Sequence, residues 1–184
     1  MGDIVFNEKK FTELVLYVAA RCEADRYFGA TKLNKILFFA DFLAYHRTGN
    51  HITGAEYFAL QYGPAPRPMK AVQERMVAAG ELTIDRRTRQ QRPLALRRAK
   101  LAGFSAEEIS LVDEVVEALR EQDATLVSVL SHAFLGWQAA WAEYQATGKR
   151  VRIPYSTAGV FNHPMDAFEE SEGLQIARRH GWRI

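Results

Sequence analysis

Apolar side chains recur at helical spacing along the first quarter of the chain. Phe11, Leu14, Val15, Val18 and Cys22 fall three or four apart, which predicts an amphipathic helix from about Glu8 to Tyr27. Asn7 is placed to cap it, and Phe6 to pack back onto Phe11. A second helix is expected between Thr31 and Gly49. There Leu33, Ile36, Leu37, Phe38, Phe39, Phe42, Leu43 and Tyr45 leave almost no polar face, and only Asp41 breaks the apolar run. A helix of that kind belongs in the middle of a core. Its first turn carries Lys32, Asn34 and Lys35. Cations at that end oppose the helix dipole at a cost of about 0.3–1 kcal/mol each, so each needs a partner or water.

The period then changes. Residues 55–61, AEYFALQ, read as a short strand. Directly after it, Gly63, Pro64, Pro66 and Pro68 crowd into six positions. Proline lacks an N–H and fixes φ, so this stretch reads as a rigid joint, not helix interior or central strand. Beyond it, Met69, Val72, Met76 and Val77 predict a third helix over about 68–79, stopped at Gly80. Residues 81–98 read as a β-hairpin with a polar tip. Ser105 and Glu108 form a capping-box pattern for a fourth helix. Asp123 or Thr125 caps a short fifth, and 136–148 reads as a sixth with Trp137 and Trp141 on one face. Residues 149–165 lose the period and suggest an extended arm, and a last amphipathic helix is expected after Asp166.

The order helix, helix, strand, helix, hairpin is that of a winged helix. The expected fold is mainly α with a small β-hairpin (α+β), on a winged-helix-like core. We divide the chain into a domain over 1–148 and a C-terminal extension over 149–184 that packs on it or extends from it.

Composition adds little: 48% hydrophobic and 25% charged residues over 184 positions is ordinary for a globular protein. The single cysteine excludes an internal disulfide and a cysteine metal cluster. No apolar run is long enough for a membrane span, and a cytoplasmic location is the default expectation. The net charge of +2 hides a gradient: residues 81–100 hold seven basic and two acidic side chains, residues 101–184 seven basic and twelve acidic. Arg86, Arg87, Arg89 and Arg92 at the hairpin are candidate nucleic-acid contacts, although a hairpin tip also needs charge to stay in water.

No phosphate-binding glycine loop and no metalloprotease or serine-hydrolase motif appears. The five histidines are scattered. Ser131 and His132 are adjacent on a helix and point apart, which is poor geometry for a nucleophile and its base. Cys22 reads as a small buried hydrophobe. We expect no catalytic, metal or cofactor site.

The stretch from Thr31 to Met69 carries a recognisable pattern. It opens with Lys32, Leu33, Asn34 and Lys35, continues through Phe38, Phe39 and Ala40, then Gly49, Ile52, Thr53 and Gly54, and ends on Tyr62, Gly63, Pro64, Ala65 and Pro66. Leu130, Ser131, His132 and Trp137 follow. Together these resemble the Panacea domain, the SocA-like antitoxin family, over about residues 10–145. The resemblance implies a module that binds and neutralises protein toxins in bacterial and phage toxin–antitoxin pairs; some members are known only as phage-associated proteins. It implies no catalytic residues. It implies a structural role for Tyr62, Gly63, Pro64, Pro66, His132 and Trp137, and a toxin partner encoded by a neighbouring gene. The alternative is a winged-helix nucleic-acid binder or transcriptional regulator. Phe161, Phe168 and Trp182, isolated aromatics of the tail, are candidate partner contacts.

Overall fold

The computed structural model describes residues 4–87 and 90–159. Helix α1 (Glu8–Arg21) starts at Asn7, whose side chain accepts the Lys10 N–H, and Phe6 meets Phe11 edge-on at 5.6 Å. It ends short of the expected Tyr27. After the cap at Cys22 the chain coils into turns, and the Asp25 carboxylate takes the Tyr27 N–H. That local bond competes with helix and frees Phe28 to enter the core.

Helix α2 (Ala30–Thr48) is the central element and ends on Gly49 in the left-handed conformation. Phe38 and Phe42 pack edge-on against Tyr57 and Phe134, all of them buried. The expected strand is in fact one arm of a hairpin. Strand β1 (Tyr57–Leu60) pairs antiparallel with β2 (Gly63–Pro66), so the proline-rich joint is itself a strand. The prolines fit because the ladder alternates. Arg67 N donates to Glu56 O, continuing the set of odd-numbered residues of this segment that face β1. Pro64 and Pro66 therefore sit where an N–H would point away from the partner.

Helix α3 (Met69–Ala78) follows at once, with Pro68 at its cap. Strands β3 (Leu82–Asp85) and β4 (Arg92–Ala95) form the expected second hairpin. The two hairpins are separate two-stranded sheets, so the winged-helix-like order holds with its single strand doubled. Helix α4 (Ala106–Ala118) carries the complete capping box of Ser105 and Glu108. Helix α5 (Ala124–His132) is capped by the Asp123 side chain, and α6 (Leu135–Thr147) closes on Gly148.

The arm after α6 packs on the body as far as it is described. Ile153 N donates to Tyr57 O, and Arg152 bridges Phe58. Tyr155 is buried, stacks on Phe42 at 4.6 Å and donates its hydroxyl to Ala55 O. It is a strap over β1 and α2. Gly136 lets it approach, since a Cβ there would stand 2.2 Å from Thr157 Oγ1. Val151, Ile153, Tyr155 and Ala158 thus share one core with the helices. The amphipathic helix expected after Asp166 lies outside the described residues.

Candidate functional site

Lys32, Lys35 and Asp41 of α2 are buried, and each is tied to a different part of the fold. The Lys32 ammonium bonds the Asp25 carboxylate and the Gln122 carbonyl (2.9 Å). Burial pushes the Asp25 carboxyl up, but Lys32 and the Tyr27 N–H outweigh it, and its pKa lies below the ordinary value. Asp41 accepts from Thr53 N, Thr53 Oγ1 and the Tyr57 hydroxyl. Its own pKa is nevertheless raised, because burial outweighs those donors.

Lys35 is different. It is 2% exposed, and its ammonium bonds the Pro64 carbonyl at 3.0 Å, its one partner among the described residues. Among the described residues no carboxylate pairs with it. Desolvation drops its pKa to about 7 from 10.5. The Lys35 side chain runs under the turn at Gly63, where φ is +94°. A Cβ on Gly63 would stand 2.4 Å from Ser131 Oγ and 2.6 Å from Lys35 Cε. So the glycine serves both a left-handed turn and a close approach. Trp137 Nε1 donates to Leu60 O at 3.3 Å on the other arm of the hairpin. His132 stacks on Trp137 (4.0 Å, 18°), and Trp137 on Trp141 (5.7 Å, 11°). The hairpin is held from below by Lys35 and flanked by this aromatic row.

The lysine makes stability depend on pH. Between pH 7 and 10.5 the unfolded chain keeps a proton that the folded chain has shed. Stability therefore rises with pH, by at most about 1.4 kcal/mol per unit for one proton. Cys22 opposes this above pH 9, because burial pushes its thiol up to about 11. Urea melts should show midpoints rising from pH 7 to 9, and Lys35→Met should flatten that slope. An equal slope in the variant would contradict the assignment.

Ser131 and His132 are not arranged for catalysis. Ser131 is fully buried and donates to Ser128 O, not to His132. The His132 Nε2 is shut from solvent and has no partner among the described residues. Burial, with a smaller contribution from Lys35, keeps that imidazole's pKa below the usual value. Among the described residues no cluster could hold a metal ion, and no helix is long and apolar enough to cross a membrane.

Of the candidate arginines, Arg87 is bonded to Asp85 and Arg92 donates to the Glu23 carbonyl just beyond α1. Arg86 is exposed, and Arg89 lies outside the described residues. Arg86 and Arg87 line one shallow depression of the second hairpin, and Arg92 stands opposite Asp85 across it. On α3, Arg75 pairs with Glu8, and Arg67 before it pairs with Glu56.

One member of the motif behaves unlike the rest. Gly63, Pro64, Pro66 and Trp137 are buried, but Tyr62 is 69% exposed at the hairpin tip. Its carbonyl lies 3.3 Å from the Ser128 hydroxyl, which donates to Ala124 O at 2.7 Å, so α5 runs beside it. Helix α5 buries Val127 and Ser131 and leaves Leu126, Val129 and Leu130 exposed. Those three stand at i, i+3 and i+4, an apolar helix face with no covering element among the described residues. The sequence signalled these residues as helix but not that they face outward.

The combination of buried lysines, the glycine–proline hairpin and the Ser131–His132–Trp137 anchor spans α2 to α6. A family model for the antitoxin SocA-like, Panacea domain matches residues 33–138 of it. The chain belongs to this family. Neither a curated protein nor a solved structure gives a significant match. The matched Panacea domain runs from the first turn of α2 into α6 and includes both hairpins and α5. Helix α1, Lys32 and the strap lie outside the matched span, which is shorter than the expected 10–145. The candidate tail contacts Phe161, Phe168 and Trp182 lie outside the described residues.

Proposed function

We propose that this Panacea domain neutralises a protein toxin by binding it directly, with Tyr62 and the outer face of α5 as the contact. The observation that carries this reading is the exposed apolar face of Leu126, Val129 and Leu130 on α5, next to the anchored hairpin that carries the exposed Tyr62. An exposed apolar helix face marks an interaction site, and aromatic anchors such as Tyr62 dominate the energetics of interfaces. Family membership supports an antitoxin-like role. The isolated chain then turns over no small molecule. The tail aromatics Phe161, Phe168 and Trp182 are a second proposed contact.

The test is coexpression with the protein encoded beside it. Growth should be restored, and the two chains should copurify. Val129→Asp with Leu130→Asp should abolish both while leaving the melting temperature within a few degrees, because both side chains are exposed. Rescue by the double variant would remove α5 from the interface.

The nucleic-acid reading is the weaker one, because Arg87 is paired with Asp85 and Arg92 with the Glu23 carbonyl. Alanine at Arg86, Arg87, Arg89 and Arg92 would reduce the salt slope of DNA binding by about 0.9 for each phosphate no longer neutralised. We expect the unmodified protein to show no DNA retention at low salt. Retention that the quadruple variant loses would revive that reading.

A further inference from the structure

A groove of about 610 Å³ opens between the first hairpin, the start of α2, α3 and the residues after α6. Its floor is apolar, made by Phe58, Leu60, Pro66 and Met69. Its rim is cationic, made by Arg67, Lys70 and Arg150. Arg67 is committed to Glu56 at 2.6 Å. Lys70 is 90% exposed and only 4.0 Å from Glu74 at best, which is a weak exposed pair. Arg150 is exposed and forms no ion pair among the described residues. Two cations at this rim are therefore available.

Asn34 also lines the groove. Its side chain makes no hydrogen bond among the described residues, and its Oδ1 is shut from solvent. That oxygen is out of reach of a ligand in the groove, but the Nδ2 group is not shut from solvent and is also unbonded among the described residues. That group offers N–H donors that match the C=O of a peptide unit. Strand addition is not available as an alternative: the outward positions of β2 are Pro64 and Pro66, which have no N–H to donate. A bound backbone would have to rely on Asn34.

We propose that this groove takes an extended segment of the partner protein in which acidic and apolar side chains are interleaved. The carboxylates meet Lys70 and Arg150, the apolar side chains rest on the floor, and the backbone pairs with Asn34. Charge complementarity selects the acidic class. The apolar floor favours peptide over nucleic acid, whose backbone needs a longer row of cations. This inference rests on the chain being a protein-binding module, and it adds a site apart from the α5 face.

The test pans a displayed library of random dodecapeptides on the purified full chain. Acidic–apolar sequences should be enriched. Synthetic peptides made from them should bind roughly tenfold or more weakly to the Lys70→Glu, Arg150→Glu double variant, and more weakly as salt rises. Asn34→Ala should lose the same peptides while its melting temperature holds or rises, which a merely structural asparagine would not do. Lys9→Glu, an exposed charge on α1, should bind them normally. Enrichment of basic or purely apolar peptides, no enrichment, or equal binding by the double variant overturns the proposal. So does binding of a random DNA duplex that the double variant loses. If the protein encoded next door binds the double variant as tightly as the unmodified chain, the groove proposal falls and the toxin-binding reading stands. If acidic peptides bind but that protein does not, the reverse holds.

Discussion

Replacing Gly63 by valine should lower stability by about 2–6 kcal/mol, a large part of the roughly 5–15 kcal/mol that holds a typical domain together. Two costs combine. A β-branched residue resists the +94° φ of this position, and its Cβ would collide with Ser131 and Lys35. Neither neighbour yields easily, because Ser131 is fixed to Ser128 O and Lys35 to Pro64 O. Gly80→Val separates the two costs. Gly80 also has a positive φ, +68°, but a Cβ there meets nothing within 4 Å, so only the conformational cost of about 1–3 kcal/mol applies. Urea midpoints of both variants decide the point. If Gly63→Val melts like the unmodified protein and only partner binding disappears, the turn is a contact surface and not an anchor.

The second large effect concerns the strap. Ending the chain after Arg150 should prevent stable folding, whereas ending it after Gly159 should leave the body intact. The segment between includes Ile153 and Tyr155, both almost wholly buried. Truncating such side chains costs about 2–5 kcal/mol each, and the Tyr155 hydroxyl bond and the Ile153 N–H bond go with them. Removal of residues 151–184 as a dispensable tail therefore does not follow from the fold. The cut after Gly159 is also the clean test of Phe161, Phe168 and Trp182: circular dichroism should be unchanged while partner affinity falls. A folded chain ending at Arg150 would show that the strap is decoration.

The helices are legible in the sequence because their signals are local. Asn7, Ser105 and Asp123 each act within three residues, and the apolar stripes of α1 and α4 need no tertiary knowledge. What escapes is set over long range. The partners of Lys32 and Lys35 include carbonyls 90 and 29 residues away, so the cations of α2 can be noticed but not paired. The proline-rich stretch reads as a joint because proline is excluded from ladders. That rule concerns only positions whose N–H must donate, and parity against β1 cannot be judged before the hairpin is known. The arm 149–165 has no period of its own, and Tyr155 enters the core through residues near position 57. The outer face of α5 escapes for another reason. A stripe of Leu126, Val129 and Leu130 looks the same in sequence whether a neighbour covers it or not.

The central claim is that the Tyr62–α5 face binds a protein toxin. Its most direct test is the dissociation constant, by calorimetry, between this chain and the protein encoded beside it, compared with Tyr62→Asp combined with Val129→Asp. We expect a stoichiometric complex with the unmodified chain. We expect a loss of about a hundredfold or more for the variant, as removal of two central anchors implies, at an unchanged melting temperature. Equal affinity of the two proteins, or no complex with the unmodified chain, would contradict the account.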